Sequence, residues 1–262
     1  MNNSPDTILC RNCNTEIETD AIVRNHKVCP VCDTHYSMGA SERLNLLIDE
    51  GTFQETDTNL YSIDSLEFPE YTEKLERDIA KTGLRSEMLT GTAKIGENDV
   101  AIAIGDVGFI GGTCGAVIGE KVTRCIEHAS ENQLPLVIIS VSGGMRMQEG
   151  TLALMQMAKT AAACTEYTHN GGFYISVLTD PTFGGATASY SSLGDVIIAE
   201  PGARIGFAGP LAVASLQEEL PEDFQKAETL VTYGFIDNIV HRSRMRQLLI
   251  DLISFADEKE AN

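Results

Sequence analysis

Two pairs of closely spaced cysteines place the strongest constraint on how this chain can fold. Fifteen residues separate the two C-x2-C pairs, which are Cys10 with Cys13 and Cys29 with Cys32. This spacing is typical of structural zinc sites, in which four thiolates surround Zn²⁺ tetrahedrally. The segment between the pairs is polar and has too few apolar residues to form a core without a metal. We therefore predict one structural zinc ion, with chance spacing or two local disulfides as the alternative.

The remaining cysteines point to a reducing compartment. The chain has seven cysteines, and this odd number argues against a complete disulfide framework. Cys114, Cys125 and Cys164 stand alone in apolar or helical contexts, so we expect buried core residues rather than nucleophiles. His26 and His35 lie near the cysteine pairs, but four sulfurs complete the zinc site, so we expect both histidines to be exposed.

Length and charge exclude several classes of protein. The 262-residue chain is 43% hydrophobic, which argues against disorder and predicts one large core, or one core and a small module. No apolar run reaches the ~18 residues of a membrane span, and no secretory signal is visible, so we expect a soluble, cytoplasmic protein. The formal charge of -19 repels phosphate backbones, which argues against general binding of nucleic acid.

Downstream of the cysteines, short apolar strands alternate with helical segments, as in an α/β core with buried parallel strands. The predicted strands are Glu87–Ile95, Val100–Gly105, Leu136–Val141, Phe173–Leu178, Val196–Ala199 and Ile236–Val240. The predicted helices begin near Ser41 and then cover Tyr71–Thr82, Val117–Ser130, Glu149–Ala163, the small residues after Gly185, Pro221–Tyr233 and Arg242–Ala256. We predict a zinc ribbon over residues 1–36 and the α/β domain over residues 37–262.

Glycine-rich turns follow the apolar strands. The sharpest contains Gly143 and Gly144, and similar turns are found at 111–115, 181–189 and 206–210. A Gly-Gly pair lets a ligand approach the backbone because no Cβ intervenes. N–H groups at the positive end of the following helix would suit an oxyanion, such as the enolate of a thioester. The structural alternative is tight turns with close helix packing.

The sequence shows no evident acid, base or nucleophile beside these turns. The spacings of dinucleotide loops, phosphate loops and nucleophile elbows are missing. His128, His169 and His241 lie in or beside polar helical stretches, where we expect surface residues. Backbone electrostatics without a side-chain base suit a reaction in which the substrate or cofactor brings its own base.

Several segments along the chain form one set of motifs with the cysteine pairs. They are 66–69 (LEFP), 111–119 (GGTCGAVIG), 142–149 (SGGMRMQE), 154–160 (LMQMAKT), 178–185 (LTDPTFGG) and 199–201 (AEP). In this order they resemble the carboxyltransferase β subunit of bacterial acetyl-CoA carboxylase. The resemblance extends from about Cys10 to Leu249 and covers nearly the whole chain.

The resemblance implies a fold, an assembly and a reaction. The fold is an α/β core of the crotonase type (ClpP/crotonase), a superhelix of ββα units that follows the zinc ribbon. The assembly is an α2β2 heterotetramer with carboxyltransferase α subunits, served by biotin carboxylase and a biotin carboxyl carrier protein. The reaction moves a carboxyl group from carboxybiotin to acetyl-CoA and gives malonyl-CoA for fatty acid or specialised polyketide synthesis. The biotin ureido nitrogen takes the methyl proton.

The resemblance also implies roles for individual residues. Gly143 and Gly144 would donate their N–H groups to the thioester oxygen and stabilise the enolate. For Arg146, which belongs to the same segment, we expect a role in bracing the turn rather than touching substrate. The substrate-binding set implied in this way consists of Gly111, Gly112, Gly184 and Gly185, together with Arg146 as the residue that braces the turn.

Three departures from the family pattern suggest a divergent paralogue. Met145 replaces an alanine beside the proposed oxyanion site, residues 113–116 (TCGA) replace Ser-Met-Gly-Ser, and residues 210–216 (PLAVASL) lack the usual basic residue and glutamate. The open alternatives are carboxylation of another acyl-CoA, biotin-independent decarboxylation of malonyl-CoA, and a zinc-ribbon adaptor for nucleic acid or protein with a silent core.

Overall fold

The N-terminal ribbon contains two similar turns that carry the cysteine pairs. In the computed structural model, which describes residues 6–209, 213, 215, 220–221 and 223–260, β1 (Thr7–Leu9) pairs antiparallel with β2 (Glu16–Glu18), and α1 covers Thr19–Arg24. The N–H groups of Cys10 and Cys29 each donate to the C=O five residues later, and their C=O groups each accept an N–H four residues later. The two turns therefore share one backbone geometry.

A mixed sheet forms the centre of the rest of the chain. Its strands are β3 (Gln54–Glu55), β4 (Met88–Ile95), β5 (Asn98–Gly105), β6 (Leu136–Ser142), β7 (Tyr174–Phe183), β8 (Val196–Ala199), β9 (Ile205–Gly206) and β10 (Asn238–Ile239). The strand order is β10-β8-β7-β6-β5-β4-β3, and β9 pairs with the end of β7. Neighbours from β5 to β10 are parallel, whereas β3-β4 and β4-β5 are antiparallel. The predicted α/β class is confirmed.

Helices cover both faces of this sheet. They are α2 (Ala40–Leu47), α3 (Tyr71–Thr82), α4 (Ala116–Glu131), α5 (Gly150–His169), α6 (Ala227–Thr232) and α7 (Arg242–Glu260). On β5, Ile102 and Ile104 pack against α2 and α7, whereas Ala101 and Ala103 pack against α4 and α5, because successive side chains of a strand alternate between faces. Among the described helices, none is long and apolar enough to cross a membrane.

The helix predicted after Gly185 is absent from the described structure. This segment instead forms turns and a short 3-10 helix, Tyr190–Ser192. The hydroxyl of Thr187 donates to the C=O of Thr182, and the hydroxyl of Ser189 donates to the C=O of Gly185. Such local bonds compete with helix formation.

Several element boundaries also differ from the predictions. The strand predicted to end at Leu178 continues to Phe183, and the helix predicted to end at Ala163 continues to His169. In the described part of Pro221–Tyr233, the helix begins only at Ala227. Cys114, Cys125 and Cys164 are buried, as predicted.

Buried ion pairs around Glu200 fasten the ribbon to the core. Arg43 from α2 and Arg242 from α7 both donate to the Glu200 carboxylate. Arg242 also donates to the C=O groups of His26 and Tyr36 in the ribbon. The side chain of Arg242 therefore contacts both parts of the chain.

The prediction that His35 is exposed is wrong. His35 is only 5% exposed, and its Nε2 accepts the backbone N–H of Arg242 at 3.2 Å. His35 lies between the ribbon and the core, a position that its spacing from the cysteines does not reveal. His26 is exposed, as predicted.

Candidate functional site

The glycine turns that follow β5, β6 and β7 meet at one edge of the sheet. These strands are parallel neighbours, so their carboxyl ends lie side by side. The N–H of Gly143 donates to the C=O of Gly111 at 3.0 Å. A Cβ placed on Gly184 would lie 2.8 Å from the Cα of Gly144. The structure brings the predicted glycines into one cluster, here called the glycine site: Gly111, Gly112, Gly143, Gly144, Gly184 and Gly185.

The backbone of Gly144 is buried but has free space on one side of its Cα. Its φ of +113° is one that residues with a Cβ rarely adopt. A Cβ built on Gly144 would meet no atom within 4 Å, so there is free space beside the backbone at this position. A ligand that enters this space would meet the backbone of Gly144 with no side chain between them.

Both N–H groups of the Gly-Gly pair form hydrogen bonds within the chain. The N–H of Gly143 is used in the bond to Gly111, so Gly143 joins two turns and is not a free donor. The N–H of Gly144 donates to the Oγ of Ser142 at 3.0 Å. Rotation of the serine side chain would release this N–H without moving the backbone.

The N–H of Met145 faces away from the neighbouring chain segment. Cys114 pairs with Met145 in a parallel bridge, in which its N–H donates to the C=O of Gly144 and its C=O accepts the N–H of Arg146. In this pattern the N–H of the central residue points to the opposite side. Within the described part of the chain no group accepts it. If Ser142 releases the N–H of Gly144, Gly144 and Met145 would offer two adjacent N–H groups.

The glycine site does not lie directly at a helix N-terminus, contrary to the sequence-based expectation. A 3-10 segment, Met147–Glu149, follows the turn, and α5 begins only at Gly150. At the neighbouring helix α4, the N–H of Ala116 donates to Oε2 of Glu149 at 2.5 Å. The protein's own carboxylate therefore occupies the first turn of α4.

Arg146 lies beneath the turn and has no exposed surface. Its Nη2 donates to the C=O of Thr113 at 2.6 Å, and its Nε donates to Oγ1 of the same residue at 3.1 Å. The guanidinium also forms ion pairs with Glu87 at 3.0 Å and Glu149 at 3.5 Å. These contacts brace the two turns against each other, so Arg146 presents no surface to a substrate.

Burial keeps the thiol and phenol groups near the glycine site protonated. It raises the pKa of the Cys114 thiol, which lies 3.4 Å from Oγ of Ser142. It also raises the pKa of Tyr190 and of Tyr71. Glu87 and Glu149 are both buried and both form ion pairs with Arg146, so neither carboxylate is exposed to a substrate.

The four predicted zinc ligands converge in the ribbon. One ligand atom from each of Cys10, Cys13, Cys29 and Cys32 lies within 4.8 Å of all the others. The Sγ–Sγ distances are 3.7 Å for Cys10 with Cys32 and 4.0 Å for Cys13 with Cys29. Tetrahedral coordination with Zn–S bonds of ~2.3 Å requires separations of ~3.8 Å. The donor set therefore fits a zinc ion without an open position for water.

Comparison with known proteins bears on what this site does. Residues 37–230 match the model of the carboxyl transferase domain. The acetyl-coenzyme A carboxylase carboxyl transferase subunit beta of Desulforamulus reducens is 47% identical over 248 residues, which are 94% of this chain and 86% of that protein. The chain belongs to the carboxyltransferase β-subunit family of acetyl-CoA carboxylase. The resemblance inferred from the sequence is confirmed.

Solved structures share the fold of this carboxyltransferase. Transcarboxylase 12S, with methylmalonyl-coenzyme A and methylmalonic acid bound, is 25% identical with a TM-score of 0.71. The match covers 84% of this chain and 41% of that chain, so the subunit spans less than half of the transcarboxylase chain. A Pseudomonas malonate decarboxylase hetero-dimer is 21% identical with a TM-score of 0.63, covers 83% of this chain and 86% of that chain, and shows the fold alone.

Two of the three departures from the family pattern lie in the described structure of this carboxyltransferase. Met145 and Cys114 both line the interior behind the glycine site, in one hydrophobic cluster with Tyr190. The third departure covers residues 210–216, of which only 213 and 215 belong to the described residues.

The sequence analysis did not predict the residues that support the glycine site or those that fasten the ribbon. Glu87, Glu149 and Tyr71 surround Arg146, and Glu200 pairs with Arg43 although 157 residues separate them. Local spacing carries no signal for such pairs. The one available hint was a charged residue in the apolar segment 199–201.

Proposed function

We propose that this chain forms the acyl-CoA side of the carboxyltransferase site of an acetyl-CoA carboxylase. The observation that carries the proposal is the glycine site at the carboxyl edge of the parallel strands, where the N–H of Met145 has no acceptor among the described residues and the adjacent N–H of Gly144 is held by Oγ of Ser142. Family membership supports the same reaction. Biotin, delivered on a separate carrier protein, would supply both the carboxyl group and the base that removes the methyl proton of acetyl-CoA.

The residues of this chain would act on the thioester. Its carbonyl oxygen would accept hydrogen bonds from the N–H groups of Gly144 and Met145, with Met145 taking the place expected for Gly143. Loss of the methyl proton moves negative charge onto that oxygen, and fixed N–H donors stabilise this charge most strongly in a site that excludes water. Rotation of Ser142 would free the N–H of Gly144 as substrate enters.

The burial of the carboxylates near the glycine site agrees with the proposal that biotin, not this chain, supplies the base. Glu87 and Glu149 beneath the turns are buried and form ion pairs with Arg146. They fix the shape of the site and do not move protons. Proton transfer would therefore come from the second substrate.

An apolar face on α5 supports an α subunit as partner. Leu154 and Met155 are 49% and 63% exposed on this helix, and Ala158 and Ala162 are exposed further along the same side. Met147, which begins the 3-10 segment beside the glycine site, is 78% exposed. We propose that the α subunit covers this face in an α2β2 heterotetramer and completes the site for biotin.

The zinc ion would have a structural role. The four cysteine thiolates would hold it and thereby fix the ribbon, which has only a small apolar core of its own. Contacts from Arg242 to Glu200 and to ribbon carbonyls would then keep the ribbon against the sheet.

Reconstitution tests the proposed function. The chain would be combined with the α subunit, biotin carboxylase, the biotinylated carrier protein, ATP, bicarbonate and acetyl-CoA. We expect malonyl-CoA to form only when every component is present. Carboxylation of another acyl-CoA in place of acetyl-CoA would correct the substrate, and turnover of malonyl-CoA by the chain alone would replace the proposal with biotin-independent decarboxylation.

A further inference from the structure

The side chain of Met145 occupies space behind the glycine site. Met145 follows Gly144 directly, is half-buried and packs against the core cluster that contains Cys114, Ile118 and Ala186. Its thioether lies against Gly185, so that a Cβ on Gly185 would overlap the Met145 sulfur.

A second methionine closes the same space from the side of α5. The Sδ of Met157 would lie 2.7 Å from a Cβ on Gly185. The cavity that remains between the two side chains is about 10 Å³, at the lower limit for one water molecule. Its walls are mainly apolar, and the two flexible thioethers fill it almost completely. Removing either thioether side chain would enlarge the cavity.

We propose that Met145 limits the length of the acyl chain that this site accepts. The inference rests on the proposed function, because it assumes that the thioester oxygen binds to the N–H groups of Gly144 and Met145. An acyl chain held in this way would begin near the Cβ of Met145, which is two bonds from the donating nitrogen. An acetyl group adds only a methyl there, whereas each further methylene needs the apolar space that the Met145 side chain fills.

In this proposal the backbone of Met145 binds the thioester oxygen, and its side chain limits the space for the acyl chain. Met145→Ala keeps the N–H that would bind the thioester oxygen and removes the atoms that fill the cavity. In an apolar pocket, one methylene is worth roughly 10- to 200-fold in specificity. We therefore expect Met145→Ala to raise kcat/KM for butyryl-CoA relative to acetyl-CoA by at least about tenfold.

Two further variants separate specificity from general effects on folding. Met145→Leu keeps most of the side-chain volume and should keep the wild-type preference, because volume-conserving replacements are tolerated best. Met245→Ala makes the same change in a fully buried residue of the opposite cluster. It should lower stability and leave the ratio of butyryl-CoA to acetyl-CoA unchanged.

The experiment uses the complete complex with each variant, acetyl-CoA, propionyl-CoA and butyryl-CoA, and measures kcat and KM separately. Titration calorimetry with the same three acyl-CoAs gives the affinity ratios without turnover. A ratio that rises only in Met145→Ala supports the proposal, whereas a ratio within twofold of wild type in both measurements overturns it. If no variant carboxylates any acyl-CoA, the proposed function fails, and the calorimetric ratio alone decides whether Met145 limits chain length.

Discussion

Arg242 donates to both carboxylate oxygens of Glu200 at 2.7 Å, and each of these side chains is only 2% exposed. Arg43 donates to the same carboxylate at 2.6 Å. Because Arg242 also bonds carbonyl groups of the ribbon, Glu200 links the zinc ribbon to the end of β8. Removing one partner of such a buried group leaves uncompensated charge, which typically costs about 3–5 kcal/mol.

Glu200→Gln should therefore destabilise the protein and change its response to acid. Burial alone would raise the pKa of Glu200, but Arg43 and Arg242 hold it well below its ordinary value of 4.5. The folded state binds this proton more weakly than the unfolded state, so the stabilisation is present above pH 4.5 and is lost as pH falls toward the folded pKa.

Thermal unfolding between about pH 5 and pH 3 measures this contribution. Wild type should lose more stability over this range than Glu200→Gln. The variant is less stable at about pH 5 and has no carboxylate at position 200 to protonate. Glu76→Gln, an exposed change on α3, serves as the matched control and should follow wild type. Parallel curves for wild type and Glu200→Gln would contradict the assigned role.

Cys29→Ser should release zinc and unfold the ribbon, because the metal supplies most of the stability of a module with so small a core. Metal analysis and thermal unfolding of the purified protein check this expectation. Cys125→Ser replaces a buried cysteine outside the zinc site and should retain full zinc. Full metal content and an unchanged melting curve for Cys29→Ser would refute the prediction.

Local spacing in the sequence was enough to predict the ribbon, because each C-x2-C pair forms its own turn. The central strands were equally predictable, since burial on both faces leaves continuous apolar runs such as 136–141. The structure of the segment after Gly185 was not predictable in this way. Its small residues indicated a helix, but its hydroxyl groups donate to nearby C=O groups and stabilise turns instead.

For the glycine site, the sequence indicated which glycines come together. It did not indicate which of their backbone N–H groups form hydrogen bonds within the chain. The bond from Gly143 to Gly111 joins turns on different strands, so it exists only once the sheet has formed. The pairing of Arg146 with Glu87 likewise depends on how β4 lies beside the turn. Tertiary contacts of this kind leave no mark on local sequence patterns.

Arg146→Lys should loosen both turns although it keeps the positive charge. Lysine cannot reproduce the forked contacts to Thr113 and Glu87. Loss of one charged buried hydrogen bond costs on the order of 2 kcal/mol of the free energy of unfolding. We expect kcat of the variant to decrease as well, because the turns that hold the glycine site are loosened. Chemical denaturation measures the change. Arg124→Lys at an exposed pair on α4 should have no measurable effect, and equal effects of the two variants would disprove the special role of Arg146.

Gly144→Ala should reduce turnover by about 100- to 1,000-fold, the usual result of losing one oxyanion donor. The φ of +113° is strained for alanine, so the N–H groups would move away from the thioester oxygen. The α subunit should still co-purify. Gly171→Ala places the same strain in an open turn with φ +83° before β7 and should keep full turnover. Retained activity in Gly144→Ala would show that the oxyanion is bound elsewhere.

The most direct test of the central claim is the reverse reaction, decarboxylation of malonyl-CoA with biocytin as the acceptor. The chain co-purified with the α subunit from the same source is the enzyme. We predict that acetyl-CoA forms only when both biocytin and the α subunit are present. Equal rates without biocytin, or a stable complex that forms no acetyl-CoA, would contradict a biotin-dependent acetyl-CoA carboxyltransferase.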